Sequence, residues 1–217
     1  MITLVLDRPW LVARLPQQMR VLSHAPQGAG YVATDCIVWR EVRNAELTQD
    51  FDVESWFAGQ MRHFPGAVGM MTSRDIGLHV RDAAEVEGIG AETVVTLGLS
   101  NAEAVGTRLL WHSADYGTIN LLVATDAALT EAAQLEALTI AVQARTAAVM
   151  DLDLPLATGR ATGTGTDCVA LACLPGAGRY AGLHTATGEA IGAATRRAVS
   201  RAAQEWRRWR DAKRAGG

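Results

Sequence analysis

Residues 158–168 hold the densest set of chemically useful groups in this chain of 217 residues. The segment reads Thr-Gly-Arg-Ala-Thr-Gly-Thr-Gly-Thr-Asp-Cys, so three glycines and four threonines surround Asp167. Glycine lets backbone N–H groups approach a ligand closely, and each threonine hydroxyl can donate and accept a hydrogen bond. Two interpretations stay open. Asp167 could be a base or an orienting group in a functional site, or the segment could be a turn in which Asp and Thr bond their own backbone.

Four further segments place small and polar residues where a predicted strand ends. They are residues 70–73, 98–101, 117–120 and 182–189. Sheet proteins build pockets where several such turns meet at one rim, so the five segments together predict a small-molecule site. Of the five histidines, only His184 lies in a glycine-flanked turn, whereas His24 and the other three have ordinary polar surroundings. Glu189 has an alternative interpretation as part of a helix cap.

Composition and charge predict one globular domain, because 49% of the residues are hydrophobic and the net charge is only -3. Charges at Asp7 and Arg8 argue against a secretory signal, and no run approaches about 18 apolar residues, so the expected location is the cytoplasm. The three cysteines, Cys36, Cys168 and Cys173, are expected to be reduced. No cluster of histidine, cysteine or acidic residues has ligand spacing, so neither a metal nor a cofactor is predicted.

The C-terminal segment is basic, with eight basic residues after position 195 against Glu205 and Asp211. An apolar stripe from Ile191 to Trp209 predicts one amphipathic helix over about 188–213, with the arginines on its solvated face. Nucleic acid and membrane are therefore not predicted as partners, since a surface-binding role would need both Trp206 and Trp209 exposed. Assembly into a homo-oligomer is left open.

The pattern of apolar segments predicts an α+β fold of layered α/β character. It consists of a single domain, with a mostly antiparallel or mixed sheet covered by helices. The predicted strands are residues 2–6, 10–15, 18–23, 36–42, 67–71, 76–80, 93–97, 118–124 and 167–173. The predicted helices are residues 53–62, 130–150 and 188–213.

The central helix carries an arginine where the pattern predicts the core. Thr130 is its predicted cap, and Leu135, Leu138, Val142 and Val149 form its predicted buried stripe, which also includes Arg145. A buried arginine needs an acceptor. Arg145 therefore either forms a helix-to-loop salt bridge, extends its head group to solvent, or clamps an anion or carbonyl of a ligand.

The order of the polar segments resembles the adenosylcobinamide amidohydrolase family of corrinoid salvage. The resemblance runs from about Val68 to Val199 and is most specific around Asp167. It rests on Met71-Thr72, Gly98-Leu-Ser-Asn-Ala102, Gly117-Thr-Ile-Asn120 with Thr125-Asp-Ala127, Ala161-Thr-Gly-Thr-Gly-Thr-Asp167, Gly182-Leu-His-Thr185 and Gly188-Glu-Ala-Ile-Gly192. It implies hydrolysis of the amide between the aminopropanol arm and the corrin ring of adenosylcobinamide, which gives adenosylcobyric acid, with a corrinoid as the small-molecule partner. Where the family usually has Glu-Ala-Lys, this chain has Gln143-Ala144-Arg145, so no general base is expected at position 143.

A second, fainter likeness concerns residues 117–126 followed by a helix and then Gly165-Thr-Asp167. This stretch looks like part of the self-processing aminopeptidases with an N-terminal serine or threonine nucleophile. That likeness implies two stacked sheets between helices, an αββα-type sandwich. No internal cleavage is indicated, so an N-terminal nucleophile is not carried over.

Amide hydrolysis needs a nucleophile, a base, oxyanion donors and an acid for the departing amine. Asp167 is the first candidate for base or orienting group, with Thr164 and Thr166 beside it. Oxyanion donors are expected from Asn120, Ser100 and Asn101, and proton transfer from His184 or Glu189. The candidate catalytic residues are Asp167, Thr166, Thr164, Asn120 and His184, and the candidate substrate-binding residues are Thr72, Ser73, Ser100, Asn101, Thr118, Arg145, Thr162, Thr185 and Glu189.

Two choices remain open at the level of sequence. The attacking group is a hydroxyl or a water, since Ser and Thr are weak nucleophiles without a base in reach. The rival from another class is a protein that binds a corrinoid or another small molecule without turnover.

Overall fold

The computed structural model describes residues 2–43, 51–108 and 117–216. The strands are β1 (Thr3–Asp7), β2 (Trp10–Ser23), β3 (Gly30–Glu41), β4 (Val68–Thr72), β5 (Val80–Val86), β6 (Ile89–Leu97), β7 (Ala102–Glu103), β8 (Ile119–Leu129), β9 (Pro155–Leu156), β10 (Gly159–Arg160), β11 (Gly163–Thr164) and β12 (Cys168–Pro175). The α-helices are α1 (Val53–Gln60), α2 (Glu131–Asp151) and α3 (Ala186–Ala215), and short 3-10 turns cover Met61–His63 and Ile76–Leu78.

The long strands form one eight-stranded sheet in the order β4-β3-β2-β12-β8-β6-β5, with β1 added to β2. Within it, β12 runs parallel to β8 and β3 runs parallel to β4, whereas the other neighbours are antiparallel. The short strands pair separately, β7 with β11 and β9 with β10. The prediction of a mixed, mostly antiparallel sheet in a single α+β domain is confirmed.

The sheet folds over on itself because β2 belongs to two parts of it. Its first half pairs with β1 and its second half pairs with β12, and the register against β3 shifts between Arg14 and Met19. As a result, Leu11 and Ile37 pack against Leu122 and Ala170 of the opposite layer. The fold therefore contains two stacked β-layers with a hydrophobic core between them.

Helices cover the two outer faces. Because successive side chains of a strand point to opposite faces, Leu121 and Val123 of β8 face α2 and α3, while Leu122 lies between the layers. On the far side, Val38 of β3 packs against Phe57 of α1. The layer order is thus α2 and α3, two β-layers, and α1, which is the αββα arrangement.

Two local predictions differ from the structure at the strands. The predicted strand over residues 76–80 is wrong at its start, because the Asp75 carboxylate accepts the Gly77 N–H at 2.7 Å and closes a 3-10 turn before β5 begins at Val80. The two strands predicted over 10–15 and 18–23 are one strand with an irregularity around Pro16. Proline lacks the N–H that a regular ladder needs, so the bend falls there.

Helix α2 begins as predicted, because the Thr130 hydroxyl accepts the Ala133 N–H at 3.2 Å. The predicted buried stripe is wrong for Leu135, which is 51% exposed. The buried side of α2 is instead made largely of small residues such as Ala133, Ala137 and Ala141. Alanine side chains are small and let a helix approach the sheet closely. A pattern of large hydrophobic residues therefore does not predict which face of α2 is buried.

The C-terminal helix α3 packs its apolar stripe on β5, β6 and α2, and Trp206 is buried. Arg197 and Arg201 lie on its solvated side and both pair with Asp82. None of the helices in the described ranges is long and apolar enough to cross a membrane.

Candidate active site

A cavity of about 320 Å³ opens between the two β-layers where β4 ends and where the parallel strands β8 and β12 begin. Parallel neighbours start at the same edge of a sheet, so the segments before β8 and β12 meet there. The cavity is lined by Pro26, Val42, Phe51, Val53, Met71, Thr72, Ser73, Gly117, Thr118, Asn120, Thr166 and Cys168.

One wall of this cavity is polar and closely hydrogen-bonded. The Thr118 hydroxyl lies 2.7 Å from the Thr166 carbonyl oxygen and 3.1 Å from Asn120 Oδ1, to either of which it can donate. Asn120 Nδ2 donates to the Met71 carbonyl at 2.6 Å, which links β8 to β4. Thr166 Oγ1 donates to the Gly117 carbonyl at 3.1 Å. A carboxamide nitrogen carries two N–H groups, and the bond from Asn120 to Met71 uses one of them.

The opposite wall is apolar and comes from Val42, Phe51 and Val53. Residues 51–53 are held at the start of α1, where the Asp52 carboxylate accepts the Ser55 N–H at 3.0 Å. The sequence analysis did not identify these apolar residues, because their role depends on their position opposite the polar wall in the folded protein.

Asp167 lies behind the polar wall and does not line the cavity. Its neighbours Thr166 and Cys168 face the cavity, so Asp167 points to the other face, toward α2. Its carboxylate oxygens accept hydrogen bonds from Thr164 N at 3.0 Å, from Thr164 Oγ1 at 2.5 Å and from Ile119 N at 3.1 Å. A further bond comes from Arg145 Nη1. A carboxylate has about four lone-pair sites, so this geometry favours an orienting role for Asp167 over that of a base.

Arg145 forms the helix-to-loop salt bridge, the first of the alternatives for this residue. Its side chain is only 13% exposed and that of Asp167 is 11% exposed. Burial lowers the pKa of the Arg145 guanidinium, and the Asp167 carboxylate supplies the acceptor that a buried arginine requires. The pair fixes the segment before β12 against α2.

His24 is a member of this cluster that the sequence did not reveal. Its Nε2 lies 3.0 Å from the Asp167 carbonyl oxygen. Burial, helped by the positive charge of Arg145, lowers the pKa of the His24 imidazole. His24 follows β2, and the contact arises from the pairing of β2 with β12 across more than a hundred residues, which no local pattern can show.

The remaining candidates near the cavity support its walls from outside. Thr162 Oγ1 accepts the Val105 N–H at 2.8 Å and so joins two turns. Ser100 and Asn101 border Gly117, where an added Cβ would lie 2.8 Å from Ser100 N and 2.9 Å from Asn101 Oδ1. Asn101 is buried, and its Oδ1 finds no hydrogen-bond partner within the described part of the chain.

The structure does not bring His184, Thr185 or Glu189 to this cavity. Thr185 is the N-cap of α3, since its hydroxyl accepts the Gly188 N–H at 3.0 Å, and Glu189 lies in the first turn of that helix. These residues follow the end of β12, whereas Asp167 precedes its start. An eight-residue strand spans roughly 23 Å, so proton transfer by His184 or Glu189 at the cavity is not supported.

Cys168 is the only titratable side chain among the cavity-lining residues named above. Burial raises the pKa of its thiol to about 12, so it is a protonated thiol at neutral pH. Its sulfur lies 3.9 Å from Ser23 Oγ. Across residues 2–43, 51–108 and 117–216, no group of three or more His, Cys, Asp or Glu side chains is placed to hold a metal ion.

The fold and the site define an αββα protein with a cavity between a wall of hydroxyl and amide side chains and an apolar wall. The family model of adenosylcobinamide amidohydrolase matches residues 2–211, nearly the whole chain. The chain belongs to that family, and the protein is therefore an amidohydrolase.

The solved structures that are similar to this chain include the following two. One is a Burkholderia sp. beta-aminopeptidase, with a TM-score of 0.46 and 13% identity, covering 89% of this chain and 78% of that one. The other is a protein of Pyrococcus horikoshii OT3, with a TM-score of 0.45 and 10% identity, covering 93% of this chain and 82% of that one. A search of curated proteins found no match.

Proposed function

We propose that the protein hydrolyses the amide that joins the aminopropanol arm to the corrin ring of adenosylcobinamide, releasing aminopropanol and adenosylcobyric acid. The family supports the substrate class. The observation that carries the proposal within the molecule is the wall formed by Thr118, Asn120 and Thr166, which presents hydroxyl and amide groups to one cavity.

The dimensions of the cavity fit an arm of the substrate better than its whole macrocycle. A volume of about 320 Å³ is at the lower end of ligand pockets, which span roughly 300–1,000 Å³. The amide-bearing arm would enter between the two β-layers, and the corrin would rest at the mouth. The apolar wall of Val42, Phe51 and Val53 would contact the hydrocarbon part of the arm.

In this proposal Asn120 polarises the amide. The N–H of Asn120 that is not bound to Met71 donates to the substrate carbonyl oxygen and stabilises the oxyanion that forms when the carbonyl carbon is attacked. Asn120 is suited to this task because its Nδ2 donates to the Met71 carbonyl, and its Oδ1 lies 3.1 Å from the Thr118 hydroxyl. A donor fixed before the reaction needs no reorganisation when charge develops.

Asp167 and Arg145 have an orienting task in the proposal. Asp167 binds the N–H of Ile119, which stands between the wall residues Thr118 and Asn120, and it also binds Thr164. Its carboxylate therefore holds the segments before β8 and β12 in register. The attacking oxygen is a water, or the hydroxyl of Thr118 or Thr166, which would form an ester that water then cleaves. In either case the C–O bond forms as the C–N bond breaks, and the proton of the attacking O–H goes to the nitrogen of the departing aminopropanol.

Incubation of the pure protein with adenosylcobinamide tests the proposal. Aminopropanol and adenosylcobyric acid are expected in equal amounts, measured by chromatography with mass detection. Thr118→Val and Thr166→Val separate the attacking groups, because loss of a nucleophilic hydroxyl abolishes turnover, whereas loss of a hydroxyl that only orients water leaves a reduced rate. Thr139→Val is the matched control, since Thr139 is exposed on α2 and bonds only within its own helix. An intact substrate after prolonged incubation would refute the hydrolytic proposal.

One observation favours a second candidate, a corrinoid-binding protein without turnover. The described lining of the cavity offers no titratable group besides the Cys168 thiol, whose pKa is raised to about 12, and a hydrolase needs a base. This candidate predicts saturable binding of adenosylcobinamide, seen by calorimetry, with no aminopropanol released.

A further inference from the structure

The basic end of α3 lies against the turn that forms one rim of the cavity. The Arg74 guanidinium stacks over the Trp209 ring at 5.0 Å from its centroid. Arg74 directly follows the cavity-lining residues Thr72 and Ser73. Helix α3 has 30 residues and is therefore about 45 Å long; it begins after the end of β12, and its last turns reach Arg74.

The rim turn is linked tightly to the arginine that Trp209 holds. The Thr72 hydroxyl accepts the Arg74 N–H at 3.0 Å, so the side chain of Thr72 and the backbone of Arg74 move together. On the other side of Arg74, the Asp75 carboxylate accepts the Gly77 N–H at 2.7 Å and binds Arg8 at 2.5 Å. Arg74 is therefore bound to the rim through its backbone N–H and to α3 through its side chain.

The Arg74 guanidinium is partly buried, and two carboxylates lie near its positive charge. Desolvation lowers the pKa of Arg74, and the nearby carboxylates of Asp75 and Glu205 oppose that shift. Glu205 lies one turn before Trp209 on α3, and Lys213 lies one turn after it, with its Nζ 5.6 Å from the same ring centroid. Trp209 is 43% exposed although it continues the apolar stripe of α3, and its ring contacts the two cations, Arg74 and Lys213.

We propose that Trp209 is a positioning residue for substrate binding, which holds Arg74 and through it the Thr72–Ser73 rim. This inference rests on the proposed function, because the substrate that the rim contacts is the one assigned there. It gives the basic C-terminal helix a task in the site that does not involve nucleic acid or membrane.

The test compares KM and kcat for adenosylcobinamide in Trp209→Ala, Trp209→Phe and Arg208→Ala. Removal of the ring is expected to raise KM about three- to tenfold, as the loss of one stacked cation suggests. The same variant should leave kcat within about twofold, since the wall of Thr118, Asn120 and Thr166 is untouched. Trp209→Phe retains an aromatic face and should restore KM. Arg208→Ala removes an exposed neighbour and should resemble the parent protein.

A second comparison shows whether Trp209 acts through Arg74. If it does, Arg74→Ala and the double variant Arg74→Ala/Trp209→Ala should have the same KM as Trp209→Ala alone. An unchanged KM in Trp209→Ala overturns the inference. A variant in which kcat and the melting temperature both fall also overturns it, because that result indicates a purely structural role. If the parent protein shows no turnover, the proposed function has failed, and calorimetric Kd values for adenosylcobinamide with the same variants decide the inference separately.

Discussion

The two ends of the central β-layer have similar sequences but different structures. Residues 158–168 and 182–189 are both rich in glycine and threonine with one acidic residue. At the first end, Thr118, Asn120 and Thr166 line a cavity and an ion pair supports them from behind. At the second end, Thr185 caps α3, and the Glu136 carboxylate accepts the Ala181 N–H at 2.7 Å.

The difference lies in what satisfies the polar groups. At the α3 end, a helix N-terminus consumes them, because its first N–H groups need acceptors. At the cavity end, two parallel strands begin side by side. The helix that starts there, α1, is capped by the Asp52 carboxylate, so it does not use the polar groups of Thr118, Asn120 and Thr166. Composition predicts polar turns at both ends, but only the topology determines which of them becomes a site.

The largest expected effect concerns the ion pair behind the cavity. Asp167→Ala leaves the buried Arg145 without its partner, which typically costs about 3–5 kcal/mol. We expect the free energy of unfolding, measured with urea, to fall by that order and activity to be lost with it. Asp151→Ala is the control, because its pair with Arg196 is more than half exposed and is worth about 0–1 kcal/mol. Equal losses in the two variants would contradict the role given to Asp167.

A comparison of kcat in Asn120→Ala and His184→Ala tests which of the two ends carries the reaction. Removal of one oxyanion donor typically lowers kcat by about 10²–10³, and we expect that loss for Asn120→Ala with little change in KM. His184→Ala at the α3 end should leave kcat within about twofold. If the His184 variant were the slower enzyme, the reactive end would have been assigned wrongly.

Alanine substitutions at two tightly packed glycines, one at each end, provide a further comparison of the two ends. A methyl group at Gly163 would collide with Arg145 and Asp167, and one at Gly182 would lie 2.7 Å from Glu136 Oε1. Both Gly163→Ala and Gly182→Ala should lower stability by about 1–3 kcal/mol in thermal melts, but only Gly163→Ala should also change kcat/KM. Gly165→Ala is the neutral control, because an added Cβ there meets nothing within 4 Å.

The smallest effect is a pH dependence at the cavity end. The folded state lowers the pKa of His24 below its ordinary value of 6.5, so the unfolded chain binds the proton more readily. Stability from this group is present above about pH 6.5 and is lost as the pH falls through the lowered folded-state value. We expect His24→Asn to flatten that part of the stability curve, measured by denaturant titration from about pH 4 to 8. An unchanged slope would show that His24 is not desolvated.

The fold class could be predicted from the sequence, because the periodicity of apolar residues indicates strands and helices, and short intervals between strands favour antiparallel pairing. The polar wall was also found, since Thr118, Asn120 and Thr166 stand in glycine-rich turns. The structure does not bring His184 to that wall, because the distance between the ends of β12 is a tertiary property that no local pattern reports. His24 was missed for the same reason, since the pairing of β2 with β12 alone brings His24 to Asp167.

The position of β12 in the sheet has a consequence for how the protein emerges from the ribosome. Strand β12 fills the centre of the sheet between β2 and β8, yet it is the last strand in the chain. Until residue 175 has been synthesised, β2 and β8 each present an unpaired edge, and such edges are prone to join those of other chains. The central closure also links residues more than a hundred positions apart, which slows folding. Rapid synthesis at high concentration is therefore expected to favour aggregation of nascent chains, and coexpression with a chaperone that shields strand edges should raise the yield.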